Sequence, residues 1–428
     1  MLIDHNPRLS PDGEWPNAII SDRAANLDSK CLPMRLQSDP DSEERVLTTN
    51  SGRDLLAEVA WVKRPTPADL SRWRRSHSVE DVSAALRLTD SRRRGVTKFV
   101  RSERMWFEPV GLEQATAEPV ARHKAARFIG GLVFDICCGV GGDSLALAES
   151  ARGVVAVDLD QGMTRRTRWN AEIYGVGHRV APVVARAEDL AIPDECLVHV
   201  DPDRRAGTSA RARKVDHYAP GLDFLTALTG RPRGGAIKLS PASDFESAFG
   251  CLPVEIELTS LGGECKEATV WFGELAEVRR RATCLPEAAT WTDRDAPDVA
   301  PLAIPDGPLD WVFDPDPTLG RAGLLDGFAS AHGLARVAPG CDFLTGPTRV
   351  DSPFLTAFEV DDTLPLDLKR LRRVVADRSL GPLEIKTRGL DLRPEDVRKI
   401  LRPDGPNPAT LLLVGGRGPS LAIVARRA

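Results

Sequence analysis

Short apolar runs, rich in β-branched residues and spaced by helix-length segments, occupy the middle of the chain. They are "LVFDI" (132–136), "VVAVD" (154–158), "VAPVV" (180–184), "LVHV" (197–200) and "GAIKL" (235–239). Continuous apolar runs suit strands buried on both faces, and the segments between them suit crossover helices, so a parallel sheet is expected. Two more runs, "VEIELTS" (254–260) and "ATVWFG" (268–273), are joined only by "LGGECKE". A link that short carries no parallel crossover, so this pair is expected as an antiparallel hairpin.

The flanks read differently. Residues 1–50 are polar, rich in Asp, Ser, Pro and Asn, and lack a sustained period, as a disordered or weakly ordered tail would. Residues 51–128 carry helical spacing in "DLLAEVAWVKR", "VSAALRLT" and "EPVARHKAARFI", the last with Thr116 as its expected N-cap. The sheet region runs over 129–282. Residues 283–350, rich in Pro, Asp and Gly, read as a linker with one helical segment, "TLGRAGLLDGFASAHG", started by Pro317. From 351 to 428 strands and helices alternate as "LTAFEV", "LDLKRLRRVVADR", "PLEIKTR", "PEDVRKIL", "ATLLLVGG" and "SLAIVARR", a small α+β domain. In its first helix Leu368, Leu371, Val374 and Val375 form an apolar stripe opposite Lys369, Arg370, Arg372 and Arg373.

Composition narrows the function classes. At 428 residues the chain exceeds one ordinary core. A net charge of −5 excludes a uniformly basic polyanion binder, so any nucleic-acid surface must be local. The eight cysteines form no CxxC pair and show no metal-ligand spacing, so no metal is expected. Several sit in apolar runs, as reduced thiols do in the cytoplasm. No apolar stretch reaches the length of a membrane span.

The chemistry gathers at strand ends. In "VFDICCGVGGDS", Gly139, Gly141 and Gly142 separate a strand from a helix, which lets a ligand approach the backbone closely. The spacing is not GxGxxG and the loop holds no lysine, so neither a dinucleotide nor a triphosphate is the natural ligand. Asp135 lies near the end of the first strand. Asp158 ends the second, where a carboxylate accepts hydrogen bonds from ribose hydroxyls. A nucleoside with a short cationic tail fits, and S-adenosylmethionine is such a ligand. Asp143 is either a helix cap or a ligand contact.

These features together resemble a class I S-adenosylmethionine-dependent methyltransferase with a Rossmann-like α/β sheet. "CCGVGGDS" is similar to the loop of trimethylguanosine synthase relatives. More closely, the chain resembles a bacterial methyltransferase family with a C-terminal THUMP-like domain. The shared stretches are "GLEQATAEPVARHKAARF", "DICCGVGGDS", "DPxRR", "IKLSP", "GGECKEATVWFG", "DPDPTLGRAGLL" and "LEIKTRG", in order from about residue 90 to 428. The resemblance implies cofactor contacts from Asp135, Cys137, Gly139, Gly141, Gly142, Asp143, Asp158 and Leu159. It also admits a ligand contact by Gln114. After the third strand the family's Asp-Ala pair is replaced by Arg186-Ala187, so adenine recognition passes to Glu188, Asp189 or the backbone near Ala187.

The fourth strand stops at Asp201-Pro202 and hands over to Arg204 and Arg205. In methyltransferases acting on exocyclic amines, an acid here accepts the amine hydrogens and an aromatic three residues on stacks the base. This chain keeps the acid and lacks the aromatic. Asp201 and Pro202 are the expected catalytic pair. Arg204, Arg205, Lys238, Arg370, Arg373, Lys386 and Arg388 are the expected substrate contacts, and "SRRRGVTKFVRSER" adds a second basic patch. The expectation is a methyltransferase acting on an RNA base. The alternatives are a protein or small-molecule methyltransferase and a non-catalytic cofactor-binding protein; a nicotinamide-dependent dehydrogenase is a remoter reading of the glycine loop.

Overall fold

All five apolar runs of the central region form strands within one residue of the positions the sequence predicts. The structure, a computed structural model, describes residues 40–204, 218–231, 233–296, 302–416 and 418–428. Contacts divide the chain into two units. The first holds residues up to Leu239 with Ser243–Pro253 and Trp271–Leu275; the second holds Ser240–Ala242, Val254–Val270 and Ala276–Ala428.

The first unit opens with helices α1 (Pro40–Thr48), α2 (Asn50–Trp61), α3 (Pro67–Trp73), α4 (Val79–Gly95), α5 (Pro109–Gln114) and α6 (Glu118–Ala125). Strands β1 (Leu132–Ile136), β2 (Gly153–Asp158), β3 (Val180–Val184) and β4 (Leu197–Val200) follow, with α7 (Gly142–Ser150) after β1 and α8 (Gln161–Tyr174) after β2. A two-residue ladder, β5 (Asp203–Arg204) with β6 (Tyr218–Ala219), precedes α9 (Leu222–Leu228), β7 (Gly235–Leu239) and α10 (Phe245–Phe249). The sheet order is β7-β4-β1-β2-β3, every pair parallel. Val133, Phe134, Ile136, Val154, Val155, Val198 and Val200 are all buried, which is why these runs show no polar alternation. Pro182, which cannot donate to a ladder, sits on the edge strand β3.

Order reverses at β1, whose neighbours are β2 on one side and β4 on the other. Ligands of such sheets collect at the carboxyl ends of the strands flanking that point.

The second unit begins with the hairpin β8 (Glu255–Leu261) and β9 (Glu264–Phe272), whose last residues pass into the first unit beside β7. The hairpin is longer than the sequence suggests. Its link is only Gly262–Gly263, with φ of 62° and 79°, a two-residue turn that needs positive φ at both positions. The charged Glu264, Lys266 and Glu267 hid the start of β9 from a hydrophobic reading.

Residues 283–350 are more than a linker. They complete β10 (Arg280–Leu285), which pairs parallel to β8, and supply β11 (Ala289–Thr292), antiparallel to β10. They also supply β12 (Trp311–Pro315), α11 (Pro317–Arg321), α12 (Leu325–Ala331), β13 (Ala335–Arg336) and β14 (Leu344–Gly346). Two of these strands, β13 and β14, hold only two and three residues, and the region's prolines and glycines masked the others. The expected single helix is two, parted at Gly323 (φ 72°), and Asp316 caps the first. Then come β15 (Leu355–Pro365), α13 (Leu368–Asp377), β16 (Leu380–Arg388), α14 (Pro394–Leu401), β17 (Asn407–Val414) and β18 (Leu421–Arg427). The sheet order is β13-β14-β12-β15-β18-β17-β16. Leu371 and Val375 of α13 share a core with Val397, Leu401, Leu411 and Leu413.

The expected tail also differs. Its residues 40–48 form α1, whose Val46 is buried with Leu55, Val59 and Val82; residues 1–39 lie outside the described residues. Glu43 of α1 makes a 2.5 Å ion pair with Arg166 of α8, both nearly buried. Removing one partner of such a pair strands the other's charge. Glu43→Ala is therefore expected to cost about 3–5 kcal/mol. A shift of the urea midpoint checks it; an unchanged midpoint would show that the Glu43–Arg166 pair adds no net stability.

Candidate cofactor and acceptor site

Pairing on both sides of β1 brings three strand ends together. Ile136 stands level with Val157 of β2 and with Val200 of β4. The Asp201 N–H donates to the Ile136 carbonyl at 3.1 Å, and the Cys138 N–H to the Val157 carbonyl at 2.9 Å. Asp158 and Asp201 thus flank the chain as it leaves β1.

That chain turns through Cys137 (φ 62°), Gly139 (56°) and Gly141 (90°) into α7. A Cβ on Gly139 would have no atom within 4 Å, so open space faces this residue. On Gly141 it would press on Thr167 at 3.1 Å, and on Gly142 on the Thr116 backbone at 3.2 Å. Gly139 is thus the member of the trio that can face a ligand, while Gly141 and Gly142 admit close packing behind it.

Two residues the sequence reading passed over hold the turn. Thr167 donates to the Gly139 carbonyl at 2.9 Å. Asn170 donates to the Val140 carbonyl at 2.9 Å and to the Trp106 carbonyl at 3.1 Å. Both are buried on α8, one turn apart and in line with Thr164. A polar stripe at helical spacing was the available signal.

Asp158 accepts the Gly139 N–H and the Asp160 N–H, each at 2.9 Å. Burial raises its carboxyl pKa to about 6, against the pull of those two donors. The neighbouring Leu159 is 42% exposed, an apolar side chain beside a hydrogen-bonding carboxylate. Beyond β3, Ala187 is buried, while Glu188 and Asp189 are exposed and lie 3.8 and 4.0 Å from Arg186.

Three expected cofactor contacts take other positions. Asp135 has no exposed surface, and its oxygens accept from Ser144 and pair with His199 Nδ1 (2.7 Å), so it braces the turn and is not placed to touch a ligand. Asp143 does not cap α7, and Thr116 does not cap α6: the Thr116 hydroxyl donates to Asp143 at 2.6 Å, and Lys124 pairs with Asp143 at 3.0 Å. All three are buried. Burial pushes the Asp143 carboxyl up, but Lys124, His199 and Lys238, with the Thr116 hydrogen bond, hold it well below the usual carboxylate range. Cys137 is mostly shielded. Burial, then the carboxylates of Asp158, Asp201, Asp135 and Asp203, keep its thiol well above the ordinary range, which makes it inert.

On the β4 side, Lys238 of β7 pairs with Asp201 at 2.6 Å. Burial raises the Asp201 pKa, the Lys238 ammonium opposes that, and nearby Asp143 reinforces it. Pro202 is buried. Gln114, admitted as a ligand contact, donates instead to Asp203 at 2.7 Å. The Arg204 side chain and all of Arg205 lie outside the described residues.

In the second unit, Arg370 and Arg373 are exposed on α13, whereas Lys386 and Arg388 are not free cations. Both are drawn to Asp314, at 2.7 and 2.9 Å, because the carboxylate of β12 lies within their reach. Among the described residues no cluster of His, Cys, Asp and Glu could hold a metal, and no helix is long and apolar enough to cross a membrane.

Comparison with known proteins agrees with this geometry. Residues 130–219 match the family described as "RNA cap guanine-N2 methyltransferase", and residues 355–427 match "THUMP domain-like". An uncharacterized S-adenosylmethionine-dependent methyltransferase of Mycobacterium tuberculosis, found in strains CDC 1551 and H37Rv, is 35% identical over 312 residues. That alignment covers 72% of this chain and 84% of the relative. The chain belongs to the S-adenosylmethionine-dependent methyltransferases. The fold matches "Crystal structure of putative methyltransferase from Porphyromonas gingivalis W83", with TM-score 0.70 and 20% identity over 88% of this chain and 98% of that one.

The residues of this methyltransferase suit its cofactor. Open space at Gly139 would admit the nucleoside's approach, Asp158 would offer an acceptor to ribose hydroxyls, and Leu159 would offer an apolar surface to adenine. A carboxylate is a better acceptor than a carboxylic acid. Cofactor affinity, measured by calorimetry, is therefore expected to fall as pH drops through about 6, where Asp158 takes up a proton. Asp158→Asn should bind weakly at every pH and lose this dependence; an unaltered pH profile in that variant would remove Asp158 from the site.

Proposed function

We propose that this methyltransferase modifies an RNA base, with an exocyclic amine as the acceptor. The observation that carries the reading is the Asp201 carboxylate, held at the end of β4 by Lys238 and set beside the glycine turn. The bound cofactor supplies a methyl group on a sulfonium, so alignment matters more than a strong base. Asp201 accepts the amine hydrogens and so directs the nitrogen lone pair. It is also placed to take the proton that the nitrogen sheds. Lys238 opposes the rise that burial imposes on the Asp201 pKa and limits the swing of the half-buried carboxylate.

Two further features support RNA. The first is the match of residues 130–219, which include Asp201, to a family described by guanine-N2 methylation of RNA caps. The second is α13 of the THUMP-like unit, where Lys369, Arg370, Arg372 and Arg373 are exposed, with the Asp367 carboxylate near Lys369 and Arg373. Exposed cations on one helix face bind phosphates and release counterions. Arg204 and Arg205, three and four residues after Asp201 in sequence, are proposed as phosphate contacts.

Asp201→Ala is expected to lower the rate of methyl transfer from labelled cofactor to cellular RNA by at least about a hundredfold, with cofactor affinity unchanged. Lys238→Met removes the charge that lowers the Asp201 pKa, so the acid limb of its pH–rate profile should move to higher pH. Label appearing only in protein or in small molecules would sink the RNA reading.

A further inference from the structure

Helices α2 and α4 end at the same place. Arg93, in the last turn of α4, donates to the carbonyls of Ala60 (2.7 Å) and Val62 (3.2 Å), pinning the chain as it leaves α2. Trp61 lies between those two residues and is 88% exposed, the most exposed large apolar side chain described. Lys63 and Arg64 follow it, both exposed and without a side-chain partner among the described residues. Arg74, Arg75 and Arg104 are likewise exposed and unpartnered. Val96 and Val100, just past α4, are 64% and 80% exposed.

Charge along this stretch departs from the whole. Residues 61–104 carry twelve Lys and Arg against five Asp and Glu, in a chain with a net charge of −5. An indole held in water beside unpaired cations gives a base a stacking surface and its neighbouring phosphates a counter-charge.

We infer that this end of the helical module binds a single-stranded stretch of RNA, with a base stacked on Trp61 and the adjoining phosphates on Lys63 and Arg64. A membrane-surface helix would set apolar and cationic groups on opposite faces of one helix. Here they gather on the chain leaving α2 and the end of α4, which Arg93 joins. The inference rests on the RNA reading for its ligand, but it uses residues outside the methyl-transfer site and gives that RNA a second point of contact.

The test is fluorescence anisotropy with a labelled single-stranded RNA of about 20 nucleotides, long enough for several stacking and phosphate contacts. The variants are Trp61→Ala, the pair Lys63→Glu with Arg64→Glu, and, for comparison, the pair Lys369→Glu with Arg370→Glu on α13. Cofactor binding by calorimetry should equal wild type in each, which reports an intact fold. Trp61→Ala is expected to weaken RNA binding about tenfold, the loss of one stacked base. The Lys63/Arg64 reversal should also weaken it and lower the slope of log affinity against log salt by about 1.4. If both bind like wild type while the α13 pair is weakened, this surface is overturned and the RNA reading stands. If the wild type binds no RNA even at about 50 mM salt, where phosphate contacts are strong, both fall. Capture of the wild type by phosphatidylserine vesicles, lost in Trp61→Ala while RNA binding is unchanged, would assign the surface to a membrane instead and overturn the inference.

Discussion

The hydrogen bond from the Gly139 N–H to the Asp158 carboxylate, 2.9 Å long, joins the glycine turn to the end of the second strand, and the site is built around it. It commits one oxygen of a mostly buried acid to the backbone and so fixes where that acid would meet a ribose. Positive φ at Gly139 and Gly141 makes the bond reachable, and Thr167 and Asn170 stop the turn from relaxing. A side chain at 139 would strain the positive-φ turn and enter the open space beside it.

Beneath the turn lies a polar layer that a stability argument alone would not require. Asp135, Ser144, His199, Asp143, Lys124 and Thr116 are all buried. They form two connected groups, one braced on β1 and β4, the other on α6 and α7. Apolar residues of similar volume would cost no desolvation. What the polar layer gives is a specified geometry. Its hydrogen bonds and ion pair fix β1 against β4 and α7, and α6 against α7. The His199 Nε2 has no hydrogen-bond partner among the described residues, so part of the penalty for this arrangement stays uncompensated.

The sheet was legible in the sequence because its strands are buried on both faces and read as unbroken apolar runs. The place of the glycine turn, Asp158 and Asp201 at the carboxyl ends of β1, β2 and β4 was legible because each ends or directly follows one of those apolar runs. Asp135 and Asp143 were misread for one reason: a sequence shows that an acid stands beside a loop, not whether its oxygens face the ligand or a buried partner. Thr167, Asn170, His199 and Lys124 were missed because their partners lie on other elements. Lys386 and Arg388 looked like free cations until Asp314, far off in sequence, was seen to hold them. The strands between 283 and 350 stayed hidden because they are short and set among prolines and glycines. The family match to S-adenosylmethionine-dependent methyltransferases rests on more than these local signals, and it agrees with them.

The central claim is that the turn at Gly139, the carboxylate of Asp158 and the carboxylate of Asp201 serve one bound nucleoside and its acceptor. A crystal structure of the protein soaked with S-adenosylhomocysteine tests it most directly. The account predicts ribose hydroxyls on Asp158, backbone contact at Gly139, and the thioether sulfur turned toward Asp201. Ribose density away from Asp158, or a sulfur facing away from Asp201, would contradict it.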